Sequence, residues 1–266
     1  GGYGAGRVPV NTMPRALVLR APGINCDLET ERALRMAGFD AVRRHINEFI
    51  RREASLTDFH LLVFPGGLSF GDYISAGKVF AVEMLYRLRE DLDAFLRSGD
   101  RYVVGICNGF QVLVKMGILP DPVLRQTVTL AENASGRFEC RWVTLRVNRS
   151  NPSPLAALPD LIQLPVAHGE GRFLAPPDVL ARLETDNRIL FRYASAHGDT
   201  TVGYPFNPNG SMHNIAGITD AAGRIIGLMP HPERYVSAEL HPGRRHPVTD
   251  DTADGLCFFR LLRAAT

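Results

Sequence analysis

Short apolar segments alternate with amphipathic segments through the first half of this chain, and no other feature of the sequence restricts the fold as strongly. Residues 16–20 (ALVLR), 61–67 (LLVFPGG) and 101–106 (RYVVGI) have the composition of short buried strands. Residues 28–38 and 79–99 repeat apolar positions at helical spacing, and each segment ends at a glycine. This alternation predicts a mostly parallel sheet with helices on both faces.

The second half of the chain contains more candidate strands than helices. The candidate strands are residues 137–147, 161–167, 188–194, 213–220 and 224–229. A hairpin-like turn at 220–223 (DAAG) separates the last two, and residues 255–265 have the pattern of a closing helix. The sequence has no internal repeat and no linker rich in proline or serine. We therefore predict a flexible leader at 1–14 and one α/β domain at 15–266, with an antiparallel extension of the sheet.

Composition argues against several classes of function. The 266-residue chain has a net charge of +2 and scattered basic pairs, so we predict no nucleic-acid surface. No apolar run reaches the ~20 residues of a membrane span, so we predict no membrane segment. The four cysteines form no CxxC pair, which argues against a disulfide framework and favours a reducing compartment such as the cytoplasm. The histidines show no metal-ligand spacing, so we predict no metal site.

Cys107 follows a predicted strand directly, at the position where α/β sheets bind their ligands. The segment GICNG (105–109) resembles the nucleophile elbow G-x-S-x-G, with cysteine in place of serine. Small residues two positions before and after the nucleophile allow a sharp strand-to-helix turn, and the start of the helix favours a thiolate. A buried free cysteine is a common core residue, but the glycine spacing favours a nucleophile here.

The segment LMPHPERY (228–235) offers a base and a group that orients it. Pro232 favours extended backbone at His231, and residues two apart in an extended segment point to the same side. The carboxylate of Glu233 would then bind one nitrogen of the His231 ring and leave the other nitrogen for Cys107. A surface histidine beside a solvated glutamate is the alternative, and the nearby elbow favours the triad.

An acyl-transfer intermediate needs at least two donors for its oxyanion. The N–H of Asn108 is one candidate, and the FPGG turn supplies a second from Gly66 or Gly67. A glycine tolerates unusual backbone angles and lets a substrate approach closely, and one such donor stabilises the transition state by about 3 kcal/mol. A plain turn is the alternative interpretation of FPGG.

One segment looks like a nucleotide-binding loop but fails the pattern. In GDYISAGKV (71–79) five residues separate the two glycines instead of four, and Val79 stands where serine or threonine is required. We therefore predict no ATP site and no cofactor in this chain.

Several segments together resemble the class I glutamine amidotransferases and, more narrowly, the glutaminase subunits of phosphoribosylformylglycinamidine synthases. The segments are GICNGFQ (105–111), MPHPER (229–234), PGINCDLET (22–30), FPGGLSFGDYISAGK (64–78), AHGEGRF (167–173) and NPNGSMHNIAGI (207–218). The resemblance implies a flavodoxin-like amidotransferase fold. It also implies that Cys107 attacks the glutamine side-chain amide, that His231 transfers protons and that Glu233 orients His231.

The resemblance extends to the substrate site and to partners. It implies Gly67 and Asn108 as the oxyanion pair and a set of glutamine-binding residues, which are Gly66, Gln111, His168 and Gly169. It further implies that ammonia passes to a synthetase subunit (PurL), which holds the ATP and magnesium, and that a small subunit (PurS) bridges the two. We expect the segment 207–218 to contact a partner, and we expect truncation of 205–212 to leave the fold intact.

Three alternatives remain open from the sequence alone. They are a cysteine hydrolase or peptidase on the same scaffold, an amidotransferase serving another synthetase such as those for GMP, CTP or carbamoyl phosphate, and a non-catalytic binding subunit. Cys26 also sits at a strand-to-helix turn, but it lacks the flanking glycine spacing, so we predict a structural role for it. The loop 238–253 has no role that the sequence indicates.

Overall fold

The computed structural model describes residues 13–72, 75–243 and 253–266. The strands in these ranges are β1 (Arg15–Arg20), β2 (Asp40–His45), β3 (Leu61–Phe64), β4 (Tyr102–Ile106), β5 (Thr129–Glu132), β6 (Glu139–Val147), β7 (Leu161–His168), β8 (Glu170–Leu174), β9 (Ile189–Ala194), β10 (Ile215–Thr219) and β11 (Ile225–Leu228). The helices are α1 (Asp27–Met36), α2 (Ile46–Ile50), α3 (Lys78–Arg87), α4 (Arg89–Arg97), α5 (Asn108–Met116), α6 (Pro177–Thr185) and α7 (Asp254–Ala265).

A nine-stranded mixed sheet forms the centre of the molecule, in the order β2-β1-β3-β4-β11-β10-β9-β6-β7. The first five strands in this order run parallel, and each of the remaining strands pairs antiparallel with its neighbours. Strands β5 and β8 form a separate antiparallel pair. The predicted α/β class, with a mostly parallel sheet and an antiparallel extension, is confirmed.

The parallel strands are buried because helices cover them. All four residues of β3 are buried, as parallel strands between two helical layers require. Helix α5 packs against β3, β4 and β11 and also against α3, whereas α1 packs against β1, β2 and α7. Because β1, β3, β4 and β11 are parallel neighbours, their carboxyl ends lie at one edge of the sheet, where the chain leaves each strand for a turn.

The prediction of one continuous helix at 79–99 is wrong. The structure has two helices there, and they meet at Leu88, whose backbone angles of φ −125° and ψ 19° are not helical. Leu88 is buried, and α4 turns its buried residues Leu92 and Phe95 toward the core. The break lets each helix bury its own apolar face, which a single straight helix along this stretch would not do.

Three strands were not predicted, and β2 shows why. Its sequence, DAVRRH, is mostly polar and lacks the alternation of a half-buried strand. Arg43 on this edge strand forms ion pairs with Asp27 and Glu31 of α1, at 2.9 and 2.7 Å. The charge of Arg43 is therefore neutralised by the helix beside it, and Arg44 pairs with Glu48 of α2 at 2.8 Å. Strands β5 and β8 are short and lie outside the main sheet.

Two predictions concern regions that the structure describes only in part. Residues 1–12 of the predicted leader and residues 244–252 of the loop 238–253 lie outside the described residues. The described part of that loop forms a short 3-10 turn at Ala238–Leu240, and the ring of His241 packs against Trp142 at a centroid distance of 4.5 Å. Within the described parts of the chain, none of the helices has the length and apolar character that crossing a membrane requires.

Candidate active site

The turn at Cys107 has the strained geometry of a nucleophile elbow. Cys107 joins β4 to α5 with φ 53° and ψ −108°, angles that residues other than glycine rarely adopt. A Cβ on Gly109 would lie 1.8 Å from the carbonyl oxygen of Phe64, and one on Gly105 would lie 2.7 Å from Gly109. Glycine is therefore required at both positions, as the sequence pattern indicated, and the close packing holds the elbow in its strained form.

His231 and Glu233 form a hydrogen-bonded pair at the same edge of the sheet. The distance from His231 Nδ1 to Glu233 Oε1 is 2.5 Å, and both side chains are at most 2 % exposed. His231 has extended backbone with φ −107° and ψ 91°, and its N–H donates to the carbonyl of Pro165 in β7 at 2.8 Å. The pairing predicted from the two-residue spacing is present.

The ring of His231 is poised for proton transfer. Burial disfavours its charged form, whereas Glu233, Cys107 and Cys26 beside it favour that form. The net effect raises the pKa of His231 well above its ordinary value. The other ring nitrogen, Nε2, is buried and has no hydrogen-bond partner in the described part of the chain, and neither has Glu233 Oε2. A base with one oriented nitrogen and one unpartnered nitrogen, next to a thiol, is the arrangement that an activated cysteine needs.

The candidate oxyanion donors follow adjacent strands. Gly67 comes shortly after β3 with φ +143°, and Asn108 opens α5 directly after Cys107. The first N–H groups of a helix have no intrahelical partner, so the Asn108 N–H is available to a bound oxyanion. A Cβ on Gly66 would lie 2.8 Å from Cε1 of His231. The glycine turn therefore packs directly against the histidine of the pair.

Gln111 and the side chain of Asn108 belong to a buried network beneath the elbow. Asn108 Nδ2 donates to Gln111 Oε1 at 2.9 Å and to Asp72 Oδ1 at 3.1 Å. Gln111 Nε2 donates to the backbone carbonyl of Glu170 in β8. Burial raises the pKa of Asp72, and the nearby Glu170 carboxylate raises it further. The sequence analysis missed Asp72 and Glu170, because nothing in their local sequence indicates that α5 brings them together.

His168 and Gly169 occupy different environments although they are neighbours. The His168 ring is buried, burial lowers its pKa to about 4, and its Nε2 lies 3.4 Å from the amide nitrogen of Asn209. Asn209 also donates to the hydroxyl of Tyr193 at 3.1 Å. Gly169 instead lines a surface cleft of about 250 Å³ together with Glu170. The structure therefore brings Gly169 to an open surface and His168 to the interior.

The segment around Asn209 corrects one expectation. Asn207, Asn209 and Ser211 are buried and hydrogen-bond to one another and to neighbouring elements. Asn209 is part of the network that contacts His168. Truncation of 205–212 would remove this buried network, so we expect it to destabilise the fold instead of leaving it intact. The exposed side chains Tyr204 and Phe206 in the preceding loop are better positions for testing a partner contact.

Cys26 lies beside the histidine–glutamate pair, which the sequence analysis did not anticipate. It precedes α1, is 1 % exposed, and its N–H donates to the carbonyl of Gly66 at 3.2 Å. Its Sγ accepts a hydrogen bond from Arg234 Nη2 at 3.1 Å. Since β1 and β3 are adjacent parallel strands, the turns that follow them meet at the same edge. The available signal was therefore topological and not a spacing motif.

Comparison with known proteins assigns the family. The model of the CobB/CobQ-like glutamine amidotransferase domain matches residues 13–263. The phosphoribosylformylglycinamidine synthase subunit PurQ of Dehalococcoides mccartyi is 44 % identical over 246 residues, which cover 92 % of this chain and 94 % of the relative. PurQ of Thermus thermophilus is 40 % identical over 249 residues, covering 92 % and 96 %.

Solved structures agree with this assignment. A chain in the structure of PurLQS from Thermotoga maritima superposes with a TM-score of 0.71 at 30 % identity, covering 96 % of this chain and all of that one. A glutamine amidotransferase from Thermotoga maritima gives a TM-score of 0.52 at 18 % identity, covering 86 % of this chain and 79 % of that one, which shows a shared fold alone. The chain belongs to the CobB/CobQ-like glutamine amidotransferase family, and within that family to the PurQ subunits of phosphoribosylformylglycinamidine synthase.

Proposed function

We propose that this chain is the glutaminase subunit that supplies ammonia to a phosphoribosylformylglycinamidine synthase in purine biosynthesis. The observation that carries the proposal is the assembly of Cys107, His231 and Glu233 at one sheet edge of a chain from the PurQ family. The nucleophile sits on a strained elbow, and the base is oriented by a buried carboxylate. This arrangement serves acyl transfer through a covalent intermediate.

The reaction proceeds in two halves. In the first half, His231 takes the thiol proton of Cys107, and the thiolate attacks the side-chain amide carbon of glutamine. The tetrahedral intermediate places its oxyanion on the N–H groups of Gly67 and Asn108. When the C–N bond breaks, His231 returns the proton to the departing nitrogen, which leaves as ammonia, and a thioester remains on Cys107.

In the second half, water hydrolyses the thioester. His231 takes a proton from the attacking water, and a second tetrahedral intermediate uses the same oxyanion donors. Collapse of this intermediate breaks the C–S bond, releases glutamate and returns the proton to the sulfur. Glu233 holds Nδ1 throughout, so that Nε2 faces the reaction and the imidazolium is stabilised whenever it forms.

We place the glutamine pocket between the elbow and the turn after β7. Gly66, Gln111, His168 and Gly169 are its proposed residues. Gln111 is held by Asn108 and by the backbone of Glu170, so its contribution is a fixed polar surface below the substrate. Gly169 opens to solvent, and His168 supports the turn from the interior.

The proposed partners divide the chemistry. PurL, the synthetase subunit, would hold ATP and magnesium and use the ammonia, and PurS would bridge the two proteins. This chain would need no cofactor of its own. None of its four cysteines forms a disulfide, which fits the cytoplasm as the proposed location. Because unused ammonia wastes glutamine, we also propose that the partner completes the oxyanion hole or aligns the triad, so that the chain alone is a poor glutaminase.

Reconstitution with PurL and PurS tests the proposal. The complex should form formylglycinamidine ribonucleotide from glutamine, whereas PurL and PurS without this chain should need added ammonia. Glutamine turnover should be much faster in the complex than in the isolated chain. Glutamine-dependent synthesis with the synthetases for GMP or CTP, and none with PurL, would contradict the assignment. Equal glutaminase rates with and without partners would contradict the proposed control.

A further inference from the structure

Cys26, His231 and Glu233 form a buried group of metal-binding side chains. One ligand atom from each residue, a thiol sulfur, a ring nitrogen and a carboxylate oxygen, lies within 4.8 Å of the other two. All three residues are at most 2 % exposed. In the ranges that the structure describes, no other three side chains of these types come together in this way. Thiolate, imidazole and carboxylate are the ligands that Zn²⁺ takes in proteins.

A second observation points to a ligand at this position. His231 Nε2 and Glu233 Oε2 are buried and have no hydrogen-bond partner within the described residues. Such unsatisfied groups are uncommon in a protein interior and need an explanation. Glu233 holds Nδ1, and Cys107 interacts with the same ring, so proton exchange with the catalytic thiol accounts for Nε2. Glu233 Oε2 has no role in the proposed reaction, and it belongs to the carboxylate that lies within 4.8 Å of a ligand atom of Cys26 and of His231.

We propose that Cys26, His231 and Glu233 bind a thiophilic divalent cation, Zn²⁺ in particular, and that the bound ion inhibits the enzyme. The inhibitory part of this inference rests on the proposed glutaminase function, whereas the binding part does not. The ion would act as an inhibitor and not as a resident cofactor, because it occupies the base that the reaction needs. An ion on Nδ1 would replace the hydrogen bond between the ring and Glu233, and an ion on Nε2 would separate the ring from the Cys107 thiol. Either position of the ion would stop proton transfer.

The chemistry of binding is balanced. The thiol proton of Cys26 and the proton on the occupied ring nitrogen leave to solvent, and three coordinate bonds form. In tetrahedral zinc sites the ligand atoms stand roughly 3 to 4 Å apart, so side-chain shifts of about 1 Å close the present group around an ion. Cys26 and Glu233 then supply two negative charges against the dication. Arg234 already donates to the sulfur of Cys26 and can keep this bond to the thiolate.

The sequence analysis predicted no metal site, and the reason is clear. Cys26 and His231 are more than 200 positions apart, and ligand-spacing rules detect only ligands that are close in sequence. The turn after β1 meets the turn after β11 only because both strands end at one edge of the sheet.

Cobalt and zinc binding to the full-length chain test the inference. Co²⁺ bound to a thiolate gives a charge-transfer band in the near ultraviolet, and Zn²⁺ affinity is measured by competition with a chromophoric chelator. The wild type should bind one ion and show the band. Cys26→Ser should lose the band and weaken Zn²⁺ binding roughly tenfold or more. Cys140→Ser, which changes an exposed thiol, should bind as the wild type does.

Further variants keep the outcome decisive. Glu233→Gln should also weaken Zn²⁺ binding, and circular dichroism checks that each variant is folded. Unchanged binding in folded Cys26→Ser, or loss only in Cys107→Ser, would overturn the proposed site. In the PurL complex, Zn²⁺ should inhibit glutamine-dependent synthesis more weakly in Cys26→Ser, relative to its own zinc-free rate. If the chain fails to hydrolyse glutamine, the cobalt band still decides the binding site. If it hydrolyses glutamine but the band persists without Cys26, this inference alone fails.

Discussion

The turns at Cys107 and Cys26 both join a parallel strand to a helix, but their backbone geometry differs. Each cysteine follows a parallel strand, precedes a helix, is buried and lies near His231. Cys107 has φ 53° and ψ −108°, whereas Cys26 has the relaxed values φ −98° and ψ 13°. The sulfur of Cys26 is engaged by Arg234 and Asn25, at 3.1 and 3.2 Å. The Cys107 sulfur instead makes a long contact of 3.7 Å to the carbonyl of Ala167 and lies beside the ring of His231.

This difference separates a reactive thiol from a supporting one. Strain at a residue other than glycine costs on the order of 1–3 kcal/mol and persists only where the surroundings enforce it. At Cys107 the enforcement comes from Gly105 and Gly109, which let α5 sit directly against Phe64. The turn before Cys26 also packs tightly, since a Cβ on Gly23 would lie 2.0 Å from the carbonyl oxygen of Leu68. The backbone of Cys26 itself has a negative φ, and its side chain is tied into hydrogen bonds. Proximity to the histidine therefore does not distinguish the two cysteines. Their backbone geometry and the hydrogen bonds of their sulfur atoms do.

The largest expected effect is on catalysis. Cys107→Ser should lower glutamine-dependent turnover of the PurL complex by about 10⁴-fold or more, because the attacking atom is changed. Cys26→Ser should stay within about tenfold of the wild type, since it changes a supporting contact. Steady-state glutamate release measures both, with ammonia-dependent synthesis as the control for an intact complex. Comparable losses in the two variants would remove the distinction between the turns.

The second effect is on stability. Gly109→Ala places a Cβ where the Phe64 carbonyl lies 1.8 Å away, so the elbow must move, and we expect a loss of about 3 kcal/mol or more in the free energy of unfolding. Gly203→Ala is a matched control, because a Cβ there meets nothing within 4 Å, and its change should be within about 0.5 kcal/mol. Urea unfolding measures both. A stable Gly109→Ala variant with full activity would show that the tight elbow is not needed.

Low pH should destabilise the region around Cys107, which includes β7 and α5, more than the region around Cys26, which includes α1. The folded-state pKa of His168, about 4, is below the ordinary 6.5 because the ring is buried. Between pH 6.5 and 4, His168 therefore binds a proton in the unfolded chain but not in the folded chain. Above pH 6.5, His168 does not lower the free energy of unfolding. As the pH falls to about 4, it lowers that free energy by up to about 3 kcal/mol.

Urea titrations at a series of pH values, on the wild type and on His168→Gln, measure this contribution. The variant should be less sensitive to acid over that window, and hydrogen exchange in acid should rise in β7 and α5 before α1. An equal dependence on pH in the two proteins would show that His168 is protonated in the folded state.

The smallest of the four effects concerns the orientation of His231. Glu233→Gln keeps the size of the side chain but removes the charge beside Nδ1, so turnover should fall by roughly 10²-fold. The pKa of His231 should also fall, because the carboxylate is the main group that raises it. The acid limb of the kcat/KM profile for glutamine should move to lower pH, and Asp254→Asn, which removes a carboxylate elsewhere, is the control. An unshifted profile would mean that Glu233 only supports the fold.

The parts of the site that the sequence predicted are local. The elbow follows from glycines two residues on either side of Cys107, and the His231–Glu233 pair follows from a two-residue spacing across a proline. The alternation of strands and helices predicted the sheet and the edge at which these segments meet. The elbow and the His231–Glu233 pair each lie within about ten residues of chain, where backbone geometry alone links pattern to structure.

The parts that were missed depend on long-range packing. The approach of Cys26 to His231, and the contacts of Asp72 and Glu170 around Gln111, join residues from separate turns. The break at Leu88 depends on which apolar face each helix buries. Strand β2 can carry Arg43 because Asp27 and Glu31 of α1 neutralise its charge. None of these features has a signal within its own segment.

Covalent trapping tests the central claim most directly. The PurL complex is treated with a glutamine-mimicking diazoketone, and the modified residue is mapped by mass spectrometry. We expect a single adduct on Cys107, prevented by excess glutamine and absent from the Cys107→Ser variant. An adduct on Cys26, or labelling that glutamine does not prevent, would contradict the assignment of Cys107 as the nucleophile.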